Sequence, residues 1–325
     1  MILNADIFYS KLMLFGEYSV IMGSMALSVP YGHFRGELSF INEDKTTDYN
    51  FAVSSNKVLD DFQREVSCNS RHLKVAEIID IDRLGRDIEN GLYFESTIPQ
   101  GYGLGSSGAL TAAIYSKYSI SPRENPRLLA TEALAQLKYK LACLESYFHG
   151  SSSGIDPLSC YTKFPLLIKS PESISFVGLP RNKLQTQGGI FLINTGKPRK
   201  TQHLVNEFLR KMKADKDFSH KINNNFIPWT NNCITSLTKG DIREFTKNLA
   251  LLSRFQLKTL KDMVPKGYAG VWEDGIRSKD YYLKLCGSGG GGFILGFAEK
   301  LEEVTRALSK EHQVITVYKS NGRNA

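Results

Sequence analysis

The chain has 325 residues, 42% of them hydrophobic and 23% charged, and a formal net charge of +8 at pH 7. That length supports one large domain or two, and that balance excludes disordered and collagen-like classes. Five scattered cysteines without a C-x-x-C pair argue against a disulfide framework or a cysteine zinc site, and suit a reducing cytosol.

The first residues lack the signal-peptide order of basic start, apolar core and small-residue cleavage site. The longest uncharged stretch, Tyr18 to Phe34, is broken by Gly23, Ser24, Pro30 and Gly32, so it makes a poor spanning helix. The reading is a soluble, cytoplasmic protein with no membrane partner. Much of the positive excess lies in Lys197 to Lys200 and in Arg210 to Lys213. No nucleic-acid module accompanies it, so a solvated basic face is expected and no nucleic acid.

In chain order, Ile7 to Phe15 and the segment after Ala26 alternate as strands do. Asn42 to Asn50 is polar and reads as a loop. Val58, Leu59 and Phe62 predict a helix over Val53 to Glu65. Leu92 to Ile98 is a strand, followed by a helix from Ser107 to Tyr118. Pro126 suits a helix start, and Leu134, Leu137, Leu141 and Leu144 form one apolar stripe ending near Gly150. Phe164 to Ile168 is a strand. Ile190 to Ile193 opens a second half, with helices near 199–213, 227–237 and 241–262. Strands at Tyr281 to Leu285 and Phe293 to Phe297, a helix at Leu301 to Leu308 and a strand at Val314 to Val317 complete it. Strand runs mixed with paired helices predict an α+β fold. The cut falls between domains 1–185 and 186–325.

The densest signal is Pro99-Gln-Gly-Tyr-Gly-Leu-Gly-Ser-Ser-Gly-Ala109. Glycines let backbone N–H groups converge, and the helix that follows adds unpaired donors and a positive dipole end. Together they make a phosphate cradle of Gly101, Gly103, Leu104, Gly105, Ser106, Ser107 and Gly108. No Lys-Ser or Lys-Thr follows, so it is not a P-loop, and the spacing is not the dinucleotide fingerprint. A second segment, Glu145-Ser-Tyr-Phe-His-Gly-Ser-Ser-Ser-Gly-Ile-Asp156, puts two acids into one region. Read singly, Glu145 is a solvated helix residue, Asp156 a turn acid, Lys11 a strand-edge charge and His149 a helix cap.

Three ordered segments change that. Residues 99–109 resemble the central motif of the GHMP kinases (galacto-, homoserine, mevalonate and phosphomevalonate kinases), P-x-x-x-G-L-G-S-S-A-A. Gly108 stands for the first alanine, a small-for-small change. Lys11-Leu-Met-Leu-Phe-Gly-Glu-Tyr-Ser-Val20 resembles the family's first motif, and Lys284-Leu-Cys-Gly-Ser-Gly-Gly-Gly-Gly-Phe293 its third. Residues 145–156 resemble E-x-x-x-H-G-x-x-S-G-x-D of the mevalonate kinases. Asn194-Thr-Gly-Lys-Pro-Arg-Lys-Thr201 resembles their N-T-x-x-P-R-x-T.

The resemblance implies a two-lobed α+β fold with the active site between the lobes, and an ATP- and Mg²⁺-dependent small-molecule kinase. It implies Ser107 and Glu145 on Mg²⁺, Asp156 at the acceptor hydroxyl and Lys11 beside it. Glu17, Tyr18 and Thr195 fall on the acceptor side, with Gly287, Ser288 and Gly289 as a supporting loop. Mevalonate is the leading acceptor in this resemblance. Tyr18 replaces the usual histidine and Phe8-Tyr9-Ser10 the usual Ala-Pro-Gly, so the branch is divergent. Another small hydroxylated acceptor, or a nucleotide- or RNA-binding relative without turnover, stays open, as does a homodimer.

Overall fold

Alternating apolar residues give the first two strands, β1 (Phe8–Phe15) and β2 (Ala26–Phe40). The chain continues through α1 (Tyr49–Cys68), α2 (Leu73–Ala76), α3 (Ile81–Glu89), β3 (Leu92–Ser96), α4 (Ser106–Tyr118), α5 (Thr131–His149) and α6 (Ile155–Thr162). After these come β4 (Leu166–Ile168), β5 (Ile174–Phe176), β6 (Gly189–Asn194), α7 (Thr201–Ala214), α8 (Lys216–Lys221), α9 (Ile227–Lys239) and α10 (Ile242–Thr259). Last are α11 (Ala269–Ser278), β7 (Tyr281–Leu285), β8 (Phe293–Ala298), α12 (Leu301–Leu308) and β9 (Gln313–Lys319). This computed structural model describes residues 6–42, 48–68, 73–121, 125–179, 188–198 and 201–320. The domain cut at 185, and Arg199 and Lys200, lie outside them.

The mixture of helix and sheet is the α+β class expected. The chain divides into two compact units. One comprises Met1–Lys11, Pro30–Pro99 and Gly105–Phe164, and the other Leu12–Val29, Gln100–Leu104 and Pro165–Ala325.

In the first unit, β2 pairs antiparallel with β3 from Gly36↔Ser96 to Phe40↔Leu92. α1 packs on β3, α2 and α3, and α4 packs on α3, α5 and α6. Residues Gly108 to Tyr115 of α4 are all buried, with no polar face, as befits a central helix. α1 starts at Tyr49, inside the stretch read as loop, because Asp48 Oδ1 accepts from Phe51 N at 2.9 Å and caps it. α5 starts at Thr131 and not at Pro126. Pro126 heads only a short 3₁₀ turn, and Ala130 is extended before the helix. α6 was not expected from sequence. Pro157 looks like a breaker, but it lies in the first turn, where its missing N–H has no partner to lose.

In the second unit, β2 pairs with β4 from Ala26↔Ile168 to Ser28↔Leu166, and β4 with β5. The other sheet is antiparallel, in the order β7-β8-β6-β9. β7 and β8 are buried throughout; β8 is apolar over its whole length, and β7 is apolar except for the buried Lys284. α9 and α10 pack on each other, and α10 and α11 cover β7. Gly240 in the left-handed region ends α9, and Asp241 caps α10 by accepting from Glu244 N. A π turn over Ile222–Phe226 joins α8 to α9, with Ile227 N bonding Ile222 O. Pro228 has no N–H to give the ordinary i−4 bond there. Among the described residues, no helix is long and apolar enough to cross a membrane.

Candidate active site

In the first unit four side chains meet around the start of α4. Gly105, at φ 75°, precedes Ser106, and no side chain caps the helix, so its first-turn N–H groups stay available. Ser107 is in that turn. Its Oγ donates to Glu145 Oε1 at 2.9 Å and lies 2.8 Å from His149 Nε2. Glu145 and His149 are one turn apart on α5, so both reach from the same face. Ser152 Oγ donates to the other carboxylate oxygen, Oε2, at 2.5 Å and accepts from Gly154 N at 2.9 Å.

Asp156 sits in the first turn of α6, and Gly154 before it holds φ 74°. Lys11 Nζ lies 2.8 Å from Asp156 Oδ1; Lys11 is 4% exposed and Asp156 33%. Gly108 brings α4 this close to α6. A Cβ there would stand 2.9 Å from Asp156 C and Pro157 N, both backbone atoms. Glycine at 108 is therefore more than a small-for-small exchange. Alanine would push Asp156 away.

Glu145 is 4% exposed. Its pKa is pushed up to about 7, first by burial and then by the negative charge of Asp156. The hydrogen bonds from Ser152 and Ser107 and the charge of Lys11 oppose the rise. The site thus combines one carboxylate that readily exchanges its proton with one held by a cation. A bound cation would favour the ionised form of Glu145.

The other predicted residues lie in the second unit, with a different character. Glu17 is buried, and Lys284 Nζ reaches its Oε1 at 2.6 Å with both side chains almost wholly covered. Burial outweighs Lys284 and the backbone donors of Glu17 and Gly287, so the carboxyl stays above its ordinary value. Tyr18 follows at φ 61°, ψ −48°, and Ser19 N bonds Glu17 O at 2.6 Å, a strained γ-turn. The Tyr18 hydroxyl donates to Ser288 O, and its ring tilts on Phe208 at 4.8 Å. Thr195 Oγ1 donates to Gly292 O at 2.8 Å, and Gly292 N donates to Lys197 O at 2.7 Å. Gly287 and Gly289 hold positive φ. The Ser288 hydroxyl is buried and, among the described residues, has no partner. Gly101, Gly103 and the buried Leu104 also belong to this unit, where Tyr102 packs on Phe293 with ring centroids 5.3 Å apart.

Three participants escaped the sequence reading. Ser152 hides in a run of three serines, and only geometry selects it over Ser153, whose Oγ accepts from Ile155 N at 3.4 Å. Lys284 was quoted within a motif, but nothing in sequence pairs it with Glu17. His149 does close α5 before Gly150, as a cap would, yet it also reaches Ser107.

Among the described residues, no group of three or more His, Cys, Asp or Glu is placed to hold a metal ion. One carboxylate with one hydroxyl does fit Mg²⁺, which takes its remaining ligands from phosphates and water.

Residues 70–163 match the family model of the GHMP kinases N terminal domain. No curated protein matches the chain in sequence. In fold, it is similar to L. major mevalonate kinase solved with R-mevalonate, at 17% identity and TM-score 0.60, covering 98% of this chain and 96% of that one. Streptococcus pneumoniae phosphomevalonate kinase, solved with phosphomevalonate and AMPPNP, is 14% identical at TM-score 0.61, over 98% and 99%. Lactococcus lactis galactokinase complexed with galactose is 12% identical at TM-score 0.60, over 98% and 95%. The resemblance drawn from the motifs is borne out, in sequence over residues 70–163 and in fold over nearly the whole chain.

Proposed function

We propose that the chain transfers the γ-phosphoryl group of ATP to the hydroxyl of a small molecule, with mevalonate as the acceptor and 5-phosphomevalonate as the product. The observation that carries this reading is the constellation at the start of α4. The Ser107–Glu145 pair there lies within electrostatic reach of the Lys11–Asp156 ion pair.

Phosphoryl transfer asks mainly for positioning and charge stabilisation. The open N–H groups at the start of α4, with Gly101, Gly103, Leu104, Gly105, Ser106 and Gly108, hold the phosphates. Ser107 and Glu145 hold Mg²⁺, which when bound neutralises phosphate charge. Asp156, exposed enough to meet a ligand, orients the acceptor hydroxyl and takes its proton. Lys11 fixes that carboxylate and supplies positive charge beside it. Glu17 and Tyr18 serve the acceptor side through the turn they brace, and Thr195 through the glycine loop it ties down. Mevalonate is favoured by the E-x-x-x-H-G-x-x-S-G-x-D and N-T-x-x-P segments. The same fold in relatives solved with mevalonate, phosphomevalonate and galactose leaves the choice to experiment.

The test is Mg-ATP-dependent ADP release with mevalonate, homoserine, galactose, phosphomevalonate or no acceptor. Mevalonate-dependent turnover that drops by orders of magnitude in Asp156→Asn, with ATP affinity within a few-fold, is the expected result. Turnover with a different acceptor would keep the kinase and remove mevalonate. ATP binding with no turnover on any acceptor would leave a nucleotide-binding relative.

A further inference from the structure

Ser107 has one hydroxyl hydrogen and two neighbours. Glu145 Oε1 is 2.9 Å away and His149 Nε2 is 2.8 Å away. An ionised carboxylate only accepts, so with Glu145 ionised, as a cation ligand must be, the Ser107 hydrogen points to Oε1. The contact with His149 then needs its hydrogen on Nε2, donated into a Ser107 lone pair. This assigns the imidazole tautomer from the network. Of the four directions around the oxygen, one is the bond to Cβ, one the O–H toward Glu145 and one the lone pair taken by His149. A single lone pair is left.

We infer that His149 is a positioning residue. By donating to Ser107 it fixes which lone pair of the serine faces a divalent cation, and so sets the affinity for that cation. The inference rests on the kinase reading above and adds to it a residue that touches neither cation nor nucleotide. Local structure supports it. Glu145 and His149 stand at i and i+4 in the last turns of α5, and Gly150, at φ 72°, ends the helix directly after. Ser152 frames the other carboxylate oxygen. The serine is held by one donor, His149, and the carboxylate by two, Ser107 and Ser152, before any ligand arrives, a preorganised arrangement.

The experiment compares the unmodified chain with His149→Phe and His149→Gln. Free Mn²⁺ is read by electron paramagnetic resonance during titration in the presence of ADP. His149 is exposed, so both variants are expected to fold, which thermal melting checks. His149→Phe removes the donor and should weaken Mn²⁺ uptake about 10-fold, the usual size of a loss in the outer shell of a metal site. His149→Gln keeps an N–H of similar reach and should recover most of it. ADP affinity in chelator should be the same in all three. In turnover, the Mg²⁺ needed for half-maximal rate should rise in His149→Phe while the rate at saturating Mg²⁺ is largely kept. Mn²⁺ uptake by His149→Phe equal to that of the unmodified chain overturns the positioning role and leaves the kinase reading intact. Equal loss in Phe and Gln variants overturns the donor assignment. An unmodified chain that binds ADP but takes up no Mn²⁺ overturns both.

Discussion

Two polar clusters of this molecule use the same ingredients, a lysine, a carboxylate and hydroxyls, to opposite ends. In the second unit Glu17 and Lys284 are 2.6 Å apart and sealed, with the Gly287 N–H and the Tyr18 hydroxyl completing the joint. In the first unit Lys11 and Asp156 are 2.8 Å apart, but Asp156 keeps a third of its side chain open. Beside them Glu145 is buried among hydroxyls, without a lysine in ion-pair contact among the described residues, and has a raised proton affinity. A sealed pair holds chain segments together, whereas a pair with one open member, next to an under-compensated acid, is suited to receive a charged ligand. Burial and completeness of partners separate the sealed pair from the open one. Residue type does not.

The comparison is broken most severely by unpairing the sealed cluster. Glu17→Gln should cost about 3–5 kcal/mol of stability, because it strands a buried lysine charge. The double variant Glu17→Gln/Lys284→Met should recover much of that in denaturant unfolding. A single variant as stable as the parent would show that the pair carries no such weight.

A smaller effect tests the open cluster. The folded-state pKa of Glu145 lies above its ordinary value, so the folded chain binds that proton more tightly than the unfolded one. Stability of the metal-free protein should then fall as pH rises from about 4.5 to about 7, the span between the two values. In Glu145→Gln that contribution is absent. The difference in melting temperature between variant and parent should move in the variant's favour with rising pH. A difference independent of pH would reject the raised pKa.

Smallest is Tyr18→Phe. Losing the hydroxyl leaves Ser288 O without this donor and should cost about 1 kcal/mol. No change in unfolding free energy would mean that the Tyr18 bond does not help to hold the turn.

Much of the first unit was legible in advance because its signals are local. The Gly105 to Gly108 start of α4, the stripe of Leu134, Leu137, Leu141 and Leu144, and the acids at 145 and 156 each lie within a short stretch of sequence, and the structure brings their polar members together. The roles of Glu17 and Tyr18 were not legible. Lys284 is far along the chain from Glu17, and no local pattern tells whether a carboxylate will end buried against a lysine or open to a ligand.

The sequence alone determined the α+β class, the glycine run and the set of chemically able residues, since these follow from composition, periodicity and short spacings, and its ordered motifs carried the resemblance to a kinase family. Only the tertiary structure decided which of them are sealed and which are left open. Ser152 was selected over Ser153, His149 was turned onto Ser107, Asp156 was left open and Glu17 was closed. Those outcomes depend on desolvation and on three-dimensional partner geometry, which contacts across long sequence separations create.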